Sequence, residues 1–150
     1  MSTIIDKSSP HDASFSGRLA GLLGLPASEN LEAELAKTVP FCLELKVLDA
    51  LKKEGLTQDE LLLVINKRTL THRRRKGEGL KPDESDRALR IARLVLLAES
   101  IFGNHEKALE WLRTPQRRFS SHSPMDPMKS EIGGRLVEES LIQIDEGYFS

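Results

Sequence analysis

The sequence predicts an all-α protein, with a helix-turn-helix region followed by a second, smaller helical unit. Three observations predict this. Apolar residues recur at three- and four-residue spacing through most of the chain. The periodic runs are bounded by helix caps and breakers, such as Gly24 and Pro26, Gly55, Gly103, and Thr114-Pro115. Residues 40–76 divide into helix, break, short helix, break and short basic helix, a layout in which the last helix enters a DNA major groove.

In chain order, residues 1–13 are expected to form a flexible N-terminus, interrupted by Ser8-Ser9-Pro10-His11-Asp12. A short helix follows from Phe15 to Leu23, with Phe15, Leu19, Leu22 and Leu23 on one side. Ser28 is the expected cap of another, with Leu31 and Leu35 inward. Residues 40–54 predict a clearer helix, striped by Phe41, Leu45, Leu48 and Leu51. Thr57 and Glu60 have capping-box spacing and open a helix carrying Leu61, Leu62, Val64 and Ile65. After a turn at Asn66-Lys67 comes the basic helix Arg68–Lys76, ended by Gly77-Glu78-Gly79. Residues 14–80 are read as one N-terminal helical region and 81–150 as a C-terminal domain.

The longest helix starts at Pro82, where a missing N–H costs nothing, and stops at Gly103. Its first half repeats arginine at 87, 90 and 93, with Asp83 and Asp86 one turn before Arg87 and Arg90. Leu94–Ala98 carries no polar residue, and a helix apolar all round must be covered on several sides. It is therefore the expected pillar of the fold. Asn104 then caps a helix with Ala108, Trp111 and Leu112 inward. Residues 116–129 read as irregular. A last helix is expected over Glu131–Glu146, striped by Ile132, Leu136, Val137, Leu141 and Ile144, before Gly147-Tyr148-Phe149-Ser150.

The chain is 39% hydrophobic and 30% charged, with a formal net charge of −1. Its longest wholly apolar run, Leu94–Ala98, is far short of the ~20 residues of a membrane helix. The N-terminus lacks a signal-peptide pattern, and the single cysteine, Cys42, forms no internal disulfide, so the expected compartment is the cytoplasm. Charge is uneven. Asn66–Arg93 holds ten bases against four acids, whereas Glu131–Ser150 holds five acids against Arg135 alone. Two surfaces with different partners are the expected result.

The basic helix offers Lys67, Arg68, Thr69, Thr71, Arg73, Arg74 and Arg75 for phosphates and base edges of DNA. The simpler reading of such a run is a solvated charged face. His11, His72, His105 and His122 are dispersed, with no cysteine or carboxylate at ligand spacing, so neither metal nor cofactor is expected. Cys42 reads as a buried thiol and Trp111 as core. The glycine pairs match no phosphate loop, and no Ser/His/Asp grouping has context, so no enzyme activity is expected. The terminal Tyr148-Phe149-Ser150 reads either as residues frayed or folded on the core, or as a plug whose rings and carboxylate enter a partner's pocket.

Pro82-Asp83-Glu84-Ser85-Asp86-Arg87, Ala98–Gly103 and Lys107–Pro115, together with Gly134–Glu139 and Gly147–Ser150, resemble the Xre/MbcA/ParS-type antitoxins over about residues 66–150. The resemblance implies an all-helical antitoxin with a helix-turn-helix and a small helical toxin-binding domain at the C-terminus. It implies a RES-domain toxin partner, similar in fold to ADP-ribosyl transferases, that depletes NAD. Tyr148, Phe149 and Ser150 would be the active-site plug, with Arg135, Glu138, Glu139, Ile142 and Glu146 lining the interface. It also implies a homodimer and a larger toxin complex that bind operator DNA and repress their own operon. A stand-alone helix-turn-helix regulator without a toxin is the alternative. Two departures from the pattern are Phe119–Pro124, in a loop where relatives often carry glycines, and Lys81, where the long helix often has a serine cap. The latter should weaken the cap by ~1 kcal/mol.

Overall fold

The computed structural model describes residues 13–38 and 40–147, so the expected flexible N-terminus before Ala13 and the plug Tyr148–Ser150 lie outside the described residues. Among the described residues seven α-helices follow one another: α1 (Ala13–Leu23), α2 (Leu31–Lys37), α3 (Lys46–Lys53), α4 (Lys67–Lys76), α5 (Pro82–Phe102), α6 (His105–Arg113) and α7 (Glu131–Asp145). Short 3-10 turns occupy Glu60–Leu63, Arg117–Phe119 and Asp126–Lys129. No strand occurs among the described residues; the loop after α6 closes only through an isolated bridge between Gln116 and His122. The fold is all-α, as the sequence predicts.

The pillar is α5. Its 21 residues span about 31 Å at the usual rise. Ala88, Ile91, Ala92 and every residue of Leu94–Ala98 are buried. α1 covers one side with Phe15, Leu19, Ala20 and Leu23, α6 another with Ala108, Leu109 and Leu112, and α7 a third with Val137 and Leu141. The helix stops at Gly103 in the left-handed conformation (φ 65°), where glycine is free of Cβ strain.

The start of α5 is better secured than Lys81 suggests. Glu84 accepts the Lys81 backbone N–H at 2.8 Å, so the carboxylate one turn inside does part of the work of a capping side chain. The arginines at 87, 90 and 93 are all engaged. Arg87 donates to the Val64 carbonyl at the end of the first 3-10 turn, Arg90 pairs with Asp86, and Arg93 reaches Glu32 on α2 and Glu138 on α7. They fasten layers together instead of forming a free basic surface.

Several expectations are corrected. The helix over residues 40–54 begins only at Lys46. Its would-be first turn is drawn into extended chain because the Leu43 N–H donates to Ser85 Oγ (2.8 Å) and its carbonyl accepts from Leu80 N–H (3.0 Å). Gly79 permits this approach, since a Cβ there would lie 3.1 Å from the Leu43 oxygen. Cys42, in that same stretch, is exposed and not buried. The helix carrying Leu61–Ile65 is a 3-10 turn, although the Thr57–Glu60 capping box forms with both hydrogen bonds (2.9 and 3.1 Å). α2 is capped at Asn30, not Ser28, whose hydroxyl accepts the Asn30 N–H instead. Trp111 is half-buried, edge-on to Phe119 at 6.4 Å.

Candidate DNA and partner interfaces

α4 is a poor helix by composition: nearly all its residues are polar, and four bases crowd its last turn. It stands because its ends are well made and two side chains hold it down. Asn66 Oδ1 accepts the Thr69 N–H at 2.8 Å, and Gly77 closes the helix at φ 71°. Four bases beside the C-terminal carbonyls also suit the helix dipole. Leu70 is buried, as the apolar pattern implies.

The second anchor is Arg73, which was expected on the DNA side. The structure buries it at 5% exposure. Its guanidinium grips both oxygens of Glu84 at 2.6 and 3.0 Å and donates to the Gly79 carbonyl at 3.0 Å. Burial pushes the Glu84 carboxyl up, but Arg73 and the Lys81 N–H outweigh this and hold it below its ordinary range. The bond to Glu84 raises the Arg73 guanidinium against the opposing effect of burial. Arg73 therefore ties α4 to the first turn of α5 and is unavailable to DNA. A charge run does not reveal which member turns inward; Glu84, eleven residues on, is the missing signal.

The remaining expected residues stay outside. Lys67, Arg68, Thr71 and Arg75 are exposed, and with Thr69 and His72 they line one open groove along α4. Arg74 is also exposed, but it leans the other way, 3.6 Å from Asp49 on α3. The face free to meet phosphates is thus Lys67, Arg68, Thr71, His72 and Arg75.

The second face lies on α7. Ser130 caps this helix, accepting the Gly133 N–H at 3.0 Å. The Gly133-Gly134 pair sets its position: a Cβ on Gly133 would sit 2.0 Å from the Pro127 carbonyl oxygen, and one on Gly134 2.5 Å from Arg90 Cδ. The bare backbone lets α7 press against both the 3-10 turn and α5. Gly133, Gly134, Val137, Ser140 and Leu141 form the buried side. Two members of the expected apolar stripe point outward instead: Ile132 is 70% and Leu136 51% exposed, joined by Ile142 at 38%. The inward places went to the glycines, which a stripe drawn through large side chains overlooks. Leu136 stands between two shallow grooves floored by Phe119, one of which also includes Leu63 and Pro127.

Among the other residues expected at a toxin interface, Arg135, Glu139 and Glu146 are exposed. Glu138 is not free: it is half-buried and holds Arg93. It helps to lock α7 to α5. Tyr148, Phe149 and Ser150 lie outside the described residues.

One more crosslink joins the helix-turn-helix to the C-terminal half. Arg113 of α6 clasps Glu60 through two 2.8 Å bonds and donates to the Gly55 carbonyl at 2.7 Å. Burial pushes Glu60 up, but the Arg113 and Thr57 bonds prevail and hold it low.

Two family models match along this chain. The antitoxin Xre-like helix-turn-helix domain spans residues 43–93, taking in α3, α4 and the first half of α5. The antitoxin Xre/MbcA/ParS C-terminal toxin-binding domain spans residues 97–147, from the apolar half of α5 through α7. The chain belongs to the Xre/MbcA/ParS antitoxin family. Similar antitoxins include "Antitoxin Xre" of Pseudomonas putida KT2440, 43% identical over 93 residues, covering 62% of this chain and 58% of that relative. "Antitoxin Xre" of Yersinia enterocolitica is 29% identical over 132 residues, 85% of this chain and 88% of the relative. The chain thus spans under two thirds of the Pseudomonas relative's length. In this antitoxin the two matched stretches meet inside α5, so one helix serves both. No helix among the described residues is long and apolar enough to cross a membrane.

Proposed function

We propose that this antitoxin neutralises a RES-domain, NAD-depleting toxin in the cytoplasm and, as a homodimer or a larger complex with that toxin, binds operator DNA to repress its own transcription. The observation that carries the reading is the separation of two unused faces on one core. α4 presents the cations Lys67, Arg68 and Arg75, which no acid among the described residues claims, and α7 presents Ile132, Leu136 and Ile142, large apolar side chains left to solvent. The segment Tyr148-Phe149-Ser150 blocks the toxin active site, its rings filling an apolar pocket. The acids Glu139 and Glu146 suit a pocket made basic to hold the phosphates of NAD.

DNA contact runs through Lys67, Arg68, Thr69, Thr71 and Arg75, with Arg74 at the edge. Reversing Arg68 and Arg75 to Glu should abolish operator binding while leaving the helical signal and toxin neutralisation intact. Replacing each singly with Gln should lower the salt dependence of operator affinity by roughly one phosphate contact. Unchanged operator affinity in the double reversal, measured by fluorescence anisotropy at several salt concentrations, would refute the assignment.

Neutralisation is tested separately. Ending the chain at Gly147 should preserve folding and DNA binding but forfeit rescue of cells that express the proposed RES-domain partner. Full rescue by the shortened chain at equal abundance would overturn the plug.

A further inference from the structure

Away from both faces, three ligand-type side chains converge where α3, α5 and α6 meet. Glu54 caps the end of α3, Glu99 stands in the last turn of α5, and His105 is the first residue of α6. One donor atom from each lies within 4.8 Å of the other two. His105 Nδ1 and Glu99 Oε2 are 2.5 Å apart, within hydrogen-bond reach. The other Glu99 oxygen accepts from Arg18 on α1, the kind of outer partner that orients a ligating carboxylate. Gly55 has φ +114°, and a Cβ there would lie 3.1 Å from His105 Nε2 and 2.7 Å from Leu109 Cδ1, so a bare backbone leaves the imidazole its place.

We propose that Glu54, Glu99 and His105 form a binding site for a zinc-class divalent cation. The ion sits between the His105 imidazole and the Glu99 carboxylate, takes the Glu54 carboxylate as third protein ligand, and completes its shell with water. Bonds of about 2.0–2.2 Å place ligand atoms some 3–4 Å apart around one ion, and the three donor atoms here already lie within 4.8 Å of one another. An imidazole with carboxylates suits zinc better than magnesium or calcium. All three groups are half-buried, which leaves a path for the ion. Glu54 belongs to the stretch matching the helix-turn-helix domain, and Glu99 and His105 to the stretch matching the toxin-binding domain. The ion therefore clamps one to the other. Sequence spacing hides the set, because Glu54 lies 45 residues before Glu99 in the chain.

The test is calorimetric titration of the untagged full chain with ZnCl2, alongside thermal unfolding with and without EDTA. One saturable equivalent and a rise in Tm that EDTA reverses are expected. His105→Ala and Glu54→Gln should each weaken binding by roughly tenfold or more, given that even outer-shell partners act on that scale. His122→Ala should leave it unchanged, because His122 sits on the far loop beside Asp126. Absence of a saturable equivalent, or zinc binding by a folded His105→Ala chain as tight as by the unaltered one, would overturn the proposal.

Discussion

Replacing Gly133 with alanine is expected to destabilise the protein by about 3 kcal/mol, the upper range for overpacking a tight contact. The added methyl would lie 2.0 Å from the Pro127 carbonyl oxygen and 2.7 Å from its carbon. Both are backbone atoms within the 3-10 turn Asp126–Lys129, so no rotamer change relieves the clash. α7 must shift, and Val137 and Leu141, both fully buried, then lose their fit against α5. At roughly 2–4 °C per kcal/mol, Tm should fall by about 6–12 °C. Gly134→Ala should cost less, since the group it meets is the movable Arg90 side chain. Gly17→Ala in α1, with nothing among the described residues within 4 Å, should stabilise by ~0.5–1 kcal/mol through helix propensity alone. Thermal unfolding of the three variants checks the series. A Gly133→Ala protein that melts with the unaltered chain would disprove the close approach.

Arg73→Met should be the other costly change, at about 3–5 kcal/mol, because it strands a buried carboxylate. Glu84 would keep the Lys81 N–H but lose both guanidinium bonds. The pH dependence separates this cause from lost packing. In the unaltered protein Glu84 is held below its ordinary value, so its contribution is complete above that value and is lost as pH falls through the folded-state value. In Arg73→Met, burial without a partner raises the carboxyl, and acid relieves the penalty instead. The gap between the two stability curves should therefore be widest near pH 7 and narrow toward pH 4. Urea unfolding at both values measures it. An equal gap at the two pH values would assign the loss to packing. Because this variant weakens the fold, lost DNA binding on altering Arg73 says nothing about a phosphate contact; Arg68 and Arg75 are the informative positions.

Much of the fold was legible in the chain. Pro82 and Gly103 bound the long helix, Asn104 capped α6, and Leu94–Ala98 announced a segment covered on several sides; each signal is local, and the structure keeps it. Several misreadings share one cause, a distant partner that outweighs local pattern. Leu43 leaves its helix for Ser85 and Leu80, 42 and 37 residues away. Arg73 turns inward for Glu84, and Glu138 for Arg93. On α7 the sequence identified a helix but not its rotation. Periodicity credits large side chains with burial, whereas here two glycines take the inward places because backbone must approach backbone. The basic face survived as a surface once Arg73 was removed from it.

In the proposed function α7 presents its outward apolar side chains to the toxin, apart from the DNA face of α4. Size-exclusion chromatography of the proposed RES-domain partner with an Ile132→Asp/Leu136→Glu antitoxin tests this most directly. Both positions are exposed, so the variant should fold and bind operator DNA as before. It should elute apart from the toxin, whereas the Arg68→Glu/Arg75→Glu protein elutes with it. Co-elution of the α7 variant at the same position and ratio as the unaltered complex would contradict the account.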